Sequence, residues 1–495
     1  MVYKSAVCIY PYYNEVPIYE FFPPIGLEYV AAAIEDLVED LCIVDLRYEE
    51  EFEKIIAAGA DLFCVSVNWH YEFDSVCKVI RSLPADATTV VGGKFATDNV
   101  EELFARCPNI DIVVRGDGEE TMREFIKAAS PEHVAGLSYR DNGRIVHNAN
   151  RPLAAVSNTL RPNRKRRRYQ YRISYKKIGL GYSFDSIVSS QGCPFNCKFC
   201  SFKMSPLGQR REWSARTPES ILEELKETKA RVIAFVDDNF FADIKRVERI
   251  CDLIIAAKMK KIFVANARIS VAKHPEVLKK LHRAGFRLLM IGLESAQDKS
   301  LKMLNKGFTT ADVKKAFAVL RKSNILTNGY FIVGLFGETE EEMLGIVPFA
   351  REIGVDLISP NRLRYEKYSE LAHLLEDYDD YYIGEANRIY SKTYGPRDIN
   401  RIVKRISSEF FNARQVCAIA RKGIRIGFPG WIFYLHFMLG LPRIVSHARK
   451  RRAMRKKAKR ATAEIAIDGR EGASGTLTYK GADVEETRGQ KVSIE

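Results

Sequence analysis

Short apolar runs alternate with amphipathic stretches along the first 150 residues. The amphipathic stretches, 26–40 and 50–59 among them, have the apolar spacing of helices that bury one face. The apolar runs are short and bounded by turn-forming residues, and they predict five strands: 5–10, 41–46, 61–68, 88–93 and 110–116. Strands that alternate with helices predict a parallel, doubly wound sheet, which binds ligands at the carboxyl ends of its strands.

Residues 130–185 interrupt this alternation. They hold a hairpin-like piece with the turn Asn142-Gly143, followed by the basic run 161–168. From residue 186 the alternation returns, and six further strands are predicted: 186–190, 231–237, 261–267, 287–294, 328–335 and 355–360. Helical patterns separate these strands, and six βα units in roughly 180 residues favour a partial barrel over a complete eightfold one.

The sequence therefore predicts an α/β protein in five segments. A doubly wound domain occupies residues 1–150, and a basic linker occupies 151–185. A partial (βα)6 barrel follows over 186–385. A helical region with an apolar and a basic segment occupies 386–460, and the polar tail 461–495 has the composition of a disordered segment.

The charge changes this picture little. Net charge is +14, but ten Lys/Arg and no acid lie between Arg443 and Arg460, which leaves about +4 for the rest. No RNA-binding module is recognised and no aromatic residues are interleaved with the basic runs, so nucleic acid is not an expected partner. The N-terminal residues lack the apolar core of a secretory signal, and we expect a cytoplasmic protein with reduced cysteines.

The chemistry is concentrated in the stretch QGCPFNCKFCSF, residues 191–202. Cys193, Cys197 and Cys200 follow the first predicted barrel strand, at the end where such folds place their active sites. A disulfide would leave one thiol over, and a structural zinc site usually has four ligands in paired spacing. Three thiolates can also hold an iron–sulfur cluster that leaves one iron open to a substrate.

The C-x3-C-x2-C spacing, with the aromatic Phe199 before the last cysteine, resembles that of the radical S-adenosylmethionine (SAM) enzymes. The resemblance implies a [4Fe–4S] cluster on the three cysteines, whose open iron chelates the amino and carboxylate groups of SAM. It also implies an external reductant such as flavodoxin or ferredoxin, and a 5′-deoxyadenosyl radical that abstracts a hydrogen atom.

Later motifs resemble the same family in order and spacing. The aspartates of VDDNF (236–240) stand where the family usually has a Gly-Gly-Glu-like motif, which is a departure from its pattern. ANARIS (265–270), GLESAQDKSLKMLNKG (292–307) and FIVGLFGET (331–339) resemble its carboxylate, ribose and adenine motifs. The SAM-binding residues that the resemblance implies are Phe199, Asp237, Asp238, Arg268, Glu294, Ser295 and Gly334.

The first domain resembles the cobalamin-binding domain of the class B radical SAM enzymes, through PPIGLEYVAAAI (23–34), VVGGKFAT (90–97) and VVRGDGEETMREFI (113–126). The resemblance implies cobalamin contacts at Gly26, Gly92 and Gly93. The family's usual Asp-x-His-x-x-Gly motif is missing, so cobalamin would bind without that axial histidine. A degenerate domain without a corrinoid is the alternative.

The pattern is most similar to hopanoid C-methylase-like members, which implies methylation of an unactivated carbon in a small-molecule or lipid substrate. A non-methylating cyclase or C–C coupling enzyme on the same scaffold is the first alternative. A tRNA methylthiotransferase and a non-enzymatic redox or binding protein are the others. The methylthiotransferase would need a second cluster, but Cys8, Cys42 and Cys77 fall in predicted strands and a helix and are expected in the core.

The C-terminal region holds the most apolar run of the chain, 427–442, directly before the ten basic residues. Pro429, Gly430 and His436 interrupt it, and it is too short for a bilayer span. Aromatic residues beside a polybasic segment indicate a peripheral membrane contact. A helix packed on the barrel, with a solvated basic tail, is the alternative.

Overall fold

A computed structural model of the chain describes residues 3–14, 20–175, 178–204 and 207–428. The described residues exclude nearly all of the apolar run 427–442, the basic residues after it and the tail 461–495. The two alternatives given for the apolar run, a membrane contact or packing on the barrel, therefore stay predictions. Among the helices of the described residues, none combines the length and the apolar character that a bilayer crossing requires.

The first domain is built on a seven-stranded sheet. Its strands are β1 (Ser5–Tyr10), β2 (Asp40–Asp45), β3 (Leu62–Ser66), β4 (Thr88–Gly92), β5 (Ile112–Val114), β6 (Leu137–Asp141) and β7 (Arg144–His147). Its helices are α1 (Ile25–Ile34), α2 (Phe52–Ala57), α3 (Phe73–Arg81), α4 (Lys94–Asp98), α5 (Val100–Arg106) and α6 (Glu119–Lys127). The predicted doubly wound domain is thereby confirmed.

The strand order is β2-β1-β3-β4-β5-β6-β7, and the first five strands are parallel. The order reverses between β1 and β3, which makes the carboxyl ends of these strands the expected ligand edge. The predicted hairpin is confirmed as β6–β7, with Asn142 and Gly143 at φ 45° and 80° in its turn. Both residues tolerate the left-handed conformation that a tight hairpin turn requires.

The second domain is built on another seven-stranded sheet and a short two-stranded ribbon. Its strands are β8 (Arg172–Tyr175), β9 (Ile178–Ile187), β10 (Ser190–Gln191), β11 (Ser214–Ala215), β12 (Val232–Phe235), β13 (Ile262–Ala267), β14 (Phe286–Glu294), β15 (Leu326–Val333) and β16 (Leu357–Arg362). Its helices are α7 (Pro218–Glu227), α8 (Ile244–Ala256), α9 (Pro275–Ala284), α10 (Asp298–Met303), α11 (Thr310–Leu320), α12 (Glu340–Leu344) and α13 (Ile346–Ile353).

The sheet order β16-β15-β14-β13-β12-β9-β8 contains six parallel strands, so the predicted partial (βα)6 barrel is confirmed. The first barrel strand differs from its prediction. It runs over Ile178–Ile187, whereas the predicted range was 186–190. Residues 172–175 pair with it as an antiparallel hairpin, and the polar residues of these strands hide their apolar pattern in the sequence. The predicted segment boundaries stay predictions; the first sheet ends at His147 and the second begins at Arg172.

The region after β16 is mainly helical, as predicted for 386–460, with one short hairpin. Its elements are α14 (Leu371–Glu376), β17 (Tyr381–Ile383), β18 (Ile389–Ser391), α15 (Pro396–Phe410) and α16 (Ala413–Arg425). The β17–β18 hairpin was not predicted, because strands of three residues carry almost no periodic signal. Helix α15 buries Ile399, Ile402 and Ile406 in the core of the second domain.

The basic run 161–168 lies at the junction of the two domains. Arg167 donates two hydrogen bonds of 2.6 Å to the carboxylate of Glu28 in α1, and two of 3.0 Å to that of Asp185 in β9. All three side chains are buried, at 4% exposure or less. A single guanidinium therefore joins the first helix of one domain to the first parallel strand of the other.

Two further arginines extend this contact into a buried network. Arg164 donates hydrogen bonds of 2.7 Å to Asp185 and to Glu224 in α7, and Arg216 pairs with the other oxygen of Glu224. Together with Arg167 and Glu28 the network holds three guanidinium groups and three carboxylates. Its charges cancel, which is the condition under which buried ions are tolerated.

We predict that Arg167→Met lowers the free energy of unfolding by about 3–5 kcal/mol, because Glu28 and Asp185 would keep buried charges without this partner. Arg168→Met is the matched control one residue away. Arg168 pairs with Glu49 at 2.7 Å but is 44% exposed, and its loss is expected to cost about 1 kcal/mol or less. Urea titration of both variants measures the difference, and equal losses would contradict the assignment.

Candidate active site

The three cysteines lie on the loop that follows β9 and β10, at the carboxyl edge of the barrel sheet. Burial raises the pKa of the Cys193 thiol, and it raises the pKa of Cys200 to about 12. The thiols of Cys197 and Cys193 also contribute to the raised pKa of Cys200. Binding of a metal group would release these protons, since thiolates are the ligating form.

Each of the three sulfurs also accepts a hydrogen bond. Arg268 Nη1 lies 3.5 Å from Cys197 Sγ, Asn239 Nδ2 lies 3.9 Å from Cys193 Sγ, and the amide of Phe202 lies 3.5 Å from Cys200 Sγ. Such donors stabilise thiolate charge and tune iron–sulfur clusters. The three thiols share one short loop and each has a donor, which suits a cluster held by three cysteines, but no three His, Cys, Asp or Glu side chains of the described residues are already arranged around a common metal position.

The other seven cysteines belong elsewhere, and all ten are free thiols. Cys8 and Cys77 are fully buried in the first domain, in β1 and α3, and Cys42 is half-buried in β2. This agrees with the expectation that they pack in the core. Nothing in their placement adds a ligand to the loop.

Arg268 connects the cysteine loop to the next motifs. Its guanidinium stacks 3.7 Å from the ring centroid of Phe195 and donates to the carbonyl oxygen of Lys306. The Lys306 ammonium is 3.1 Å from Glu294 Oε1 and 5.5 Å from the centroid of Phe199. The structure thus brings Phe199, Arg268 and Glu294 together around a lysine that the sequence analysis did not single out.

Lys306 is the functional candidate that sequence reasoning missed. It is 4% exposed, and it is the penultimate residue of the GLESAQDKSLKMLNKG motif, twelve residues after its partner Glu294. The sequence offered one signal for this residue, which is its position next to the end of a recognised motif. Its burial beside a carboxylate was the missing information, because a lysine in sequence is by default a solvated side chain.

Glu294 is held in an uncommon backbone conformation at the end of β14. Its φ is 67°, in the left-handed region, where a non-glycine residue is strained. The carboxylate folds over Gly292, where an added Cβ would lie 2.5 Å from Glu294 Oε1. Gly292 therefore makes room for the carboxylate, which remains beside Lys306.

The two aspartates after β12 organise the start of the cysteine loop. Asp237 is 1% exposed, and its carboxylate accepts hydrogen bonds from the amide of Ser189 (2.7 Å) and the hydroxyls of Ser189 and Ser190. Asp238 accepts a 2.8 Å hydrogen bond from the amide of Gly192, and burial raises its pKa to about 6. Both carboxylates therefore have partners within the chain that tie β12 to the loop.

The remaining predicted SAM contacts shape the backbone. Ser295 is 1% exposed, and its hydroxyl accepts a 3.1 Å hydrogen bond from the amide of Gln297. Gly334 has φ 87°, and an added Cβ there would lie 3.0 Å from Ile399 of α15. The roles of all seven residues toward SAM stay predictions.

The predicted cobalamin glycines lie at the ligand edge of the first sheet. Gly26, in the first turn of α1, is exposed, and an added Cβ there would meet nothing within 4 Å. At Gly93 (φ 114°) a Cβ would lie 2.7 Å from both Asn68 Oδ1 and Val67 O. A Cβ at Gly92 would lie 3.4 Å from Val114 Cβ.

Gly26 thus leaves open space for a ligand. Gly92 and Gly93, in contrast, allow neighbouring strand ends to pack closely against the backbone. Their contacts with cobalamin stay predictions. His70, just beyond β3, is exposed at the same edge.

The ligand edges of the two sheets face each other. Lys94, directly after the end of β4, forms a 2.6 Å ion pair with Glu366, which follows β16. Asp117, after β5, accepts hydrogen bonds of 2.7 and 2.8 Å from Arg211, which follows the cysteine loop. A cofactor bound at the carboxyl edge of the first sheet would therefore face the cysteine loop.

Comparison with known families agrees with this geometry. Residues 187–350 match the family model of the radical SAM superfamily. Residues 16–126 match the model of the B12 binding domain. The first match spans the cysteine loop and strands β12–β15 of the barrel, and the second spans strands β2–β5 of the first sheet.

Curated relatives match 65–73% of the chain. An uncharacterized methyltransferase of Pyrococcus horikoshii is 29% identical over 353 residues, which cover 68% of this chain and 74% of the relative. The anaerobic magnesium-protoporphyrin IX monomethyl ester cyclase of Cereibacter sphaeroides is 27% identical, over 65% of this chain and 55% of the cyclase. The hopanoid C-2 methylase of Rhodopseudomonas palustris is 24% identical, over 73% of this chain and 68% of the methylase.

Two solved structures share the fold. The radical SAM methyltransferase TsrM of Kitasatospora setae, with cobalamin and a [4Fe–4S] cluster bound, superposes with a TM-score of 0.62. It is 16% identical and covers 83% of this chain and 82% of its own. The cobalamin-dependent SAM radical enzyme OxsB has a TM-score of 0.63 at 16% identity, over 84% of this chain and 70% of its own.

We predict that Cys197→Ala abolishes the visible absorbance of the reconstituted cluster and SAM cleavage, because two thiolates do not hold the cubane. Cys417→Ala, which removes an exposed thiol on α16, is the control and should retain both. Anaerobic reconstitution, iron and sulfide analysis and SAM cleavage assays measure the outcome. A fully loaded and active Cys197→Ala protein would contradict the cluster assignment.

Proposed function

Because the chain belongs to the radical SAM enzymes that carry a B12-binding domain, we propose that it is a cobalamin-dependent methyltransferase that methylates an unactivated carbon. The cofactors that its two domains imply are a [4Fe–4S] cluster, SAM and cobalamin. The proposal rests on one observation: the ligand edges of the two sheets face each other. The ion pairs Lys94–Glu366 and Asp117–Arg211 join them. Methyl transfer needs the radical site and the methyl donor to meet over one substrate carbon.

When bound, the cofactors supply the hydrogen-abstracting radical and the methyl group, which is chemistry that side chains do not provide. The chain supplies binding and electrostatics. Cys193, Cys197 and Cys200 would hold the cluster. Arg268 places a positive charge beside the loop, where partial burial strengthens its attraction for an anionic group such as a carboxylate, while the neighbouring Lys306 is balanced by Glu294.

Glu294 is placed to accept hydrogen bonds from a ligand hydroxyl while it neutralises Lys306. We propose that the electron comes from a cytoplasmic reductant of the flavodoxin or ferredoxin class. Reduced flavodoxin and reduced ferredoxin, each in place of a chemical reductant, test this, and failure of both to support SAM cleavage would exclude it.

A cyclase is the second candidate, because the relatives include the magnesium-protoporphyrin IX monomethyl ester cyclase of Cereibacter sphaeroides. The two reactions differ in their by-products. A methylase that uses cobalamin consumes one SAM for the radical and one for the methyl group. A cyclase needs SAM only for the radical.

The experiment is an anaerobic assay of the reconstituted protein with cobalamin, SAM, reductant and either a lipid extract or an aqueous extract. We expect 5′-deoxyadenosine and S-adenosylhomocysteine in comparable amounts, with the lipid extract as the source of substrate. Deoxyadenosine without S-adenosylhomocysteine would exclude the methylase and support the cyclase. Stimulation by the aqueous extract alone would exclude a lipid substrate.

We further propose that the substrate is a lipid reached by peripheral contact with a membrane. Helix α16 carries four basic residues and no acidic residue, and Arg414, Arg421 and Arg425 are exposed. Ile424 lies among them with 63% exposure. The helix leads directly into the apolar run 427–442, and basic and apolar residues together suit the surface of an anionic bilayer.

We predict that the protein sediments with vesicles that contain phosphatidylserine and not with neutral vesicles. Replacement of Arg414, Arg421 and Arg425 by Gln should weaken this binding, since a basic residue near an anionic surface contributes roughly 1 kcal/mol. A matched control replaces three exposed lysines of the barrel by Gln: Lys226, Lys229 and Lys245. Equal weakening in both triple variants would contradict a contact through α16.

A further inference from the structure

The loops at the ligand edge of the first sheet also hold the cysteine loop. Lys94 follows β4 through Gly93, and its ammonium lies 2.6 Å from Glu366 Oε2. The same oxygen accepts a 3.4 Å hydrogen bond from the hydroxyl of Ser201, the residue after Cys200. Glu366 therefore links the end of β4 to the end of the cysteine loop.

A second link reaches the start of that loop. Arg211, whose side chain is 12% exposed, donates hydrogen bonds of 2.7 and 2.8 Å from Nη2 to both carboxylate oxygens of Asp117. Its Nη1 lies 3.4 Å from Gln191 Oε1, two residues before Cys193. Arg211 therefore links the loop after β5 to the beginning of the cysteine loop.

Packing reinforces both links. An added Cβ at Gly116, in the loop after β5, would lie 3.5 Å from Leu207 Cδ1, so the turn behind the cysteine loop rests on the first domain. An added Cβ at Gly208 would lie 3.4 Å from the ring of Tyr368. Tyr368 in turn donates a 3.0 Å hydrogen bond to Asp98 at the end of α4. Both sides of the cysteine loop thus depend on two loops of the first domain.

We propose that Glu366 and Arg211 are positioning residues that couple the two cofactor sites, so that a filled cluster site strengthens corrinoid binding and a bound corrinoid strengthens cluster retention. The inference rests on the proposed function, which places cobalamin at the ligand edge beside the loops after β4 and β5. A ligand that orders those loops also orders their partners on the cysteine loop. The coupling is reciprocal by thermodynamic necessity.

The experiment measures the Kd of hydroxocobalamin for the full-length protein twice, once with the reconstituted cluster and once after removal of iron by a chelator. We expect the cluster-loaded protein to bind at least about fivefold more tightly, the lower end of typical site–site couplings. In the Glu366→Gln/Arg211→Gln variant the ratio of the two Kd values should fall towards one, because both ion pairs between the loops are lost. Retention of iron during dialysis, with and without hydroxocobalamin, measures the reverse direction.

Two controls separate coupling from general damage. Lys203→Gln removes an ion pair of 3.2 Å with Glu370 that also borders the cysteine loop but does not reach the first domain, and it should keep the ratio of Kd values. Lys94→Glu should lower the ratio, and the charge exchange Lys94→Glu/Glu366→Lys should restore part of it. If the double glutamine variant does not fold, these single and exchanged variants decide the question.

The possible results separate the proposed coupling from the proposed methyltransferase function. A wild-type protein that binds hydroxocobalamin with the same Kd in both states overturns the coupling and leaves the methyltransferase proposal standing. An unchanged ratio in the folded double variant also overturns it. No binding of hydroxocobalamin in either state overturns the corrinoid function itself, and the coupling with it.

Discussion

A buried, charge-neutral network of arginines and carboxylates is the constraint on which the rest of the structure depends. Arg167 joins Glu28 of α1 to Asp185 of β9, and Arg164 carries the contact on to Glu224. A buried ion pair contributes little net stability, but a partner left alone in the interior costs several kcal/mol. Any other docking of the two domains would leave such charges unpaired, so the network selects one arrangement.

That arrangement explains why the site forms where it does. Helix α1 begins at the ligand edge of the first sheet, and β9 leads directly into the cysteine loop. When the network holds α1 against β9, the carboxyl edges of the two sheets face each other. The ion pairs Lys94–Glu366 and Asp117–Arg211 then close the junction around the cysteine loop.

Within the site, the chain provides electrostatics more than acid–base chemistry. Arg268 and Lys306 bring positive charge to a loop of three sulfurs, and Glu294 balances the lysine. Asp237 and Asp238 accept hydrogen bonds from backbone amides of the segment that leads into the loop. An arrangement of this kind suits the binding of charged cofactors, which would then supply the bond-breaking steps.

The sequence by itself determined the parallel sheets, the partial barrel and the three cysteines. These features depend on local spacing: the apolar periodicity of each element, and cysteines separated by three and by two residues. Only the tertiary structure decided how the domains face each other, because Glu28 and Arg167 are 139 residues apart and neither carries a local signal for the other. The same reason hid Lys306, whose burial beside Glu294 arises when the segment after β14 folds back on Arg268. It also hid the roles of Asp237 and Asp238, since their partners lie on a strand and a loop more than forty residues away.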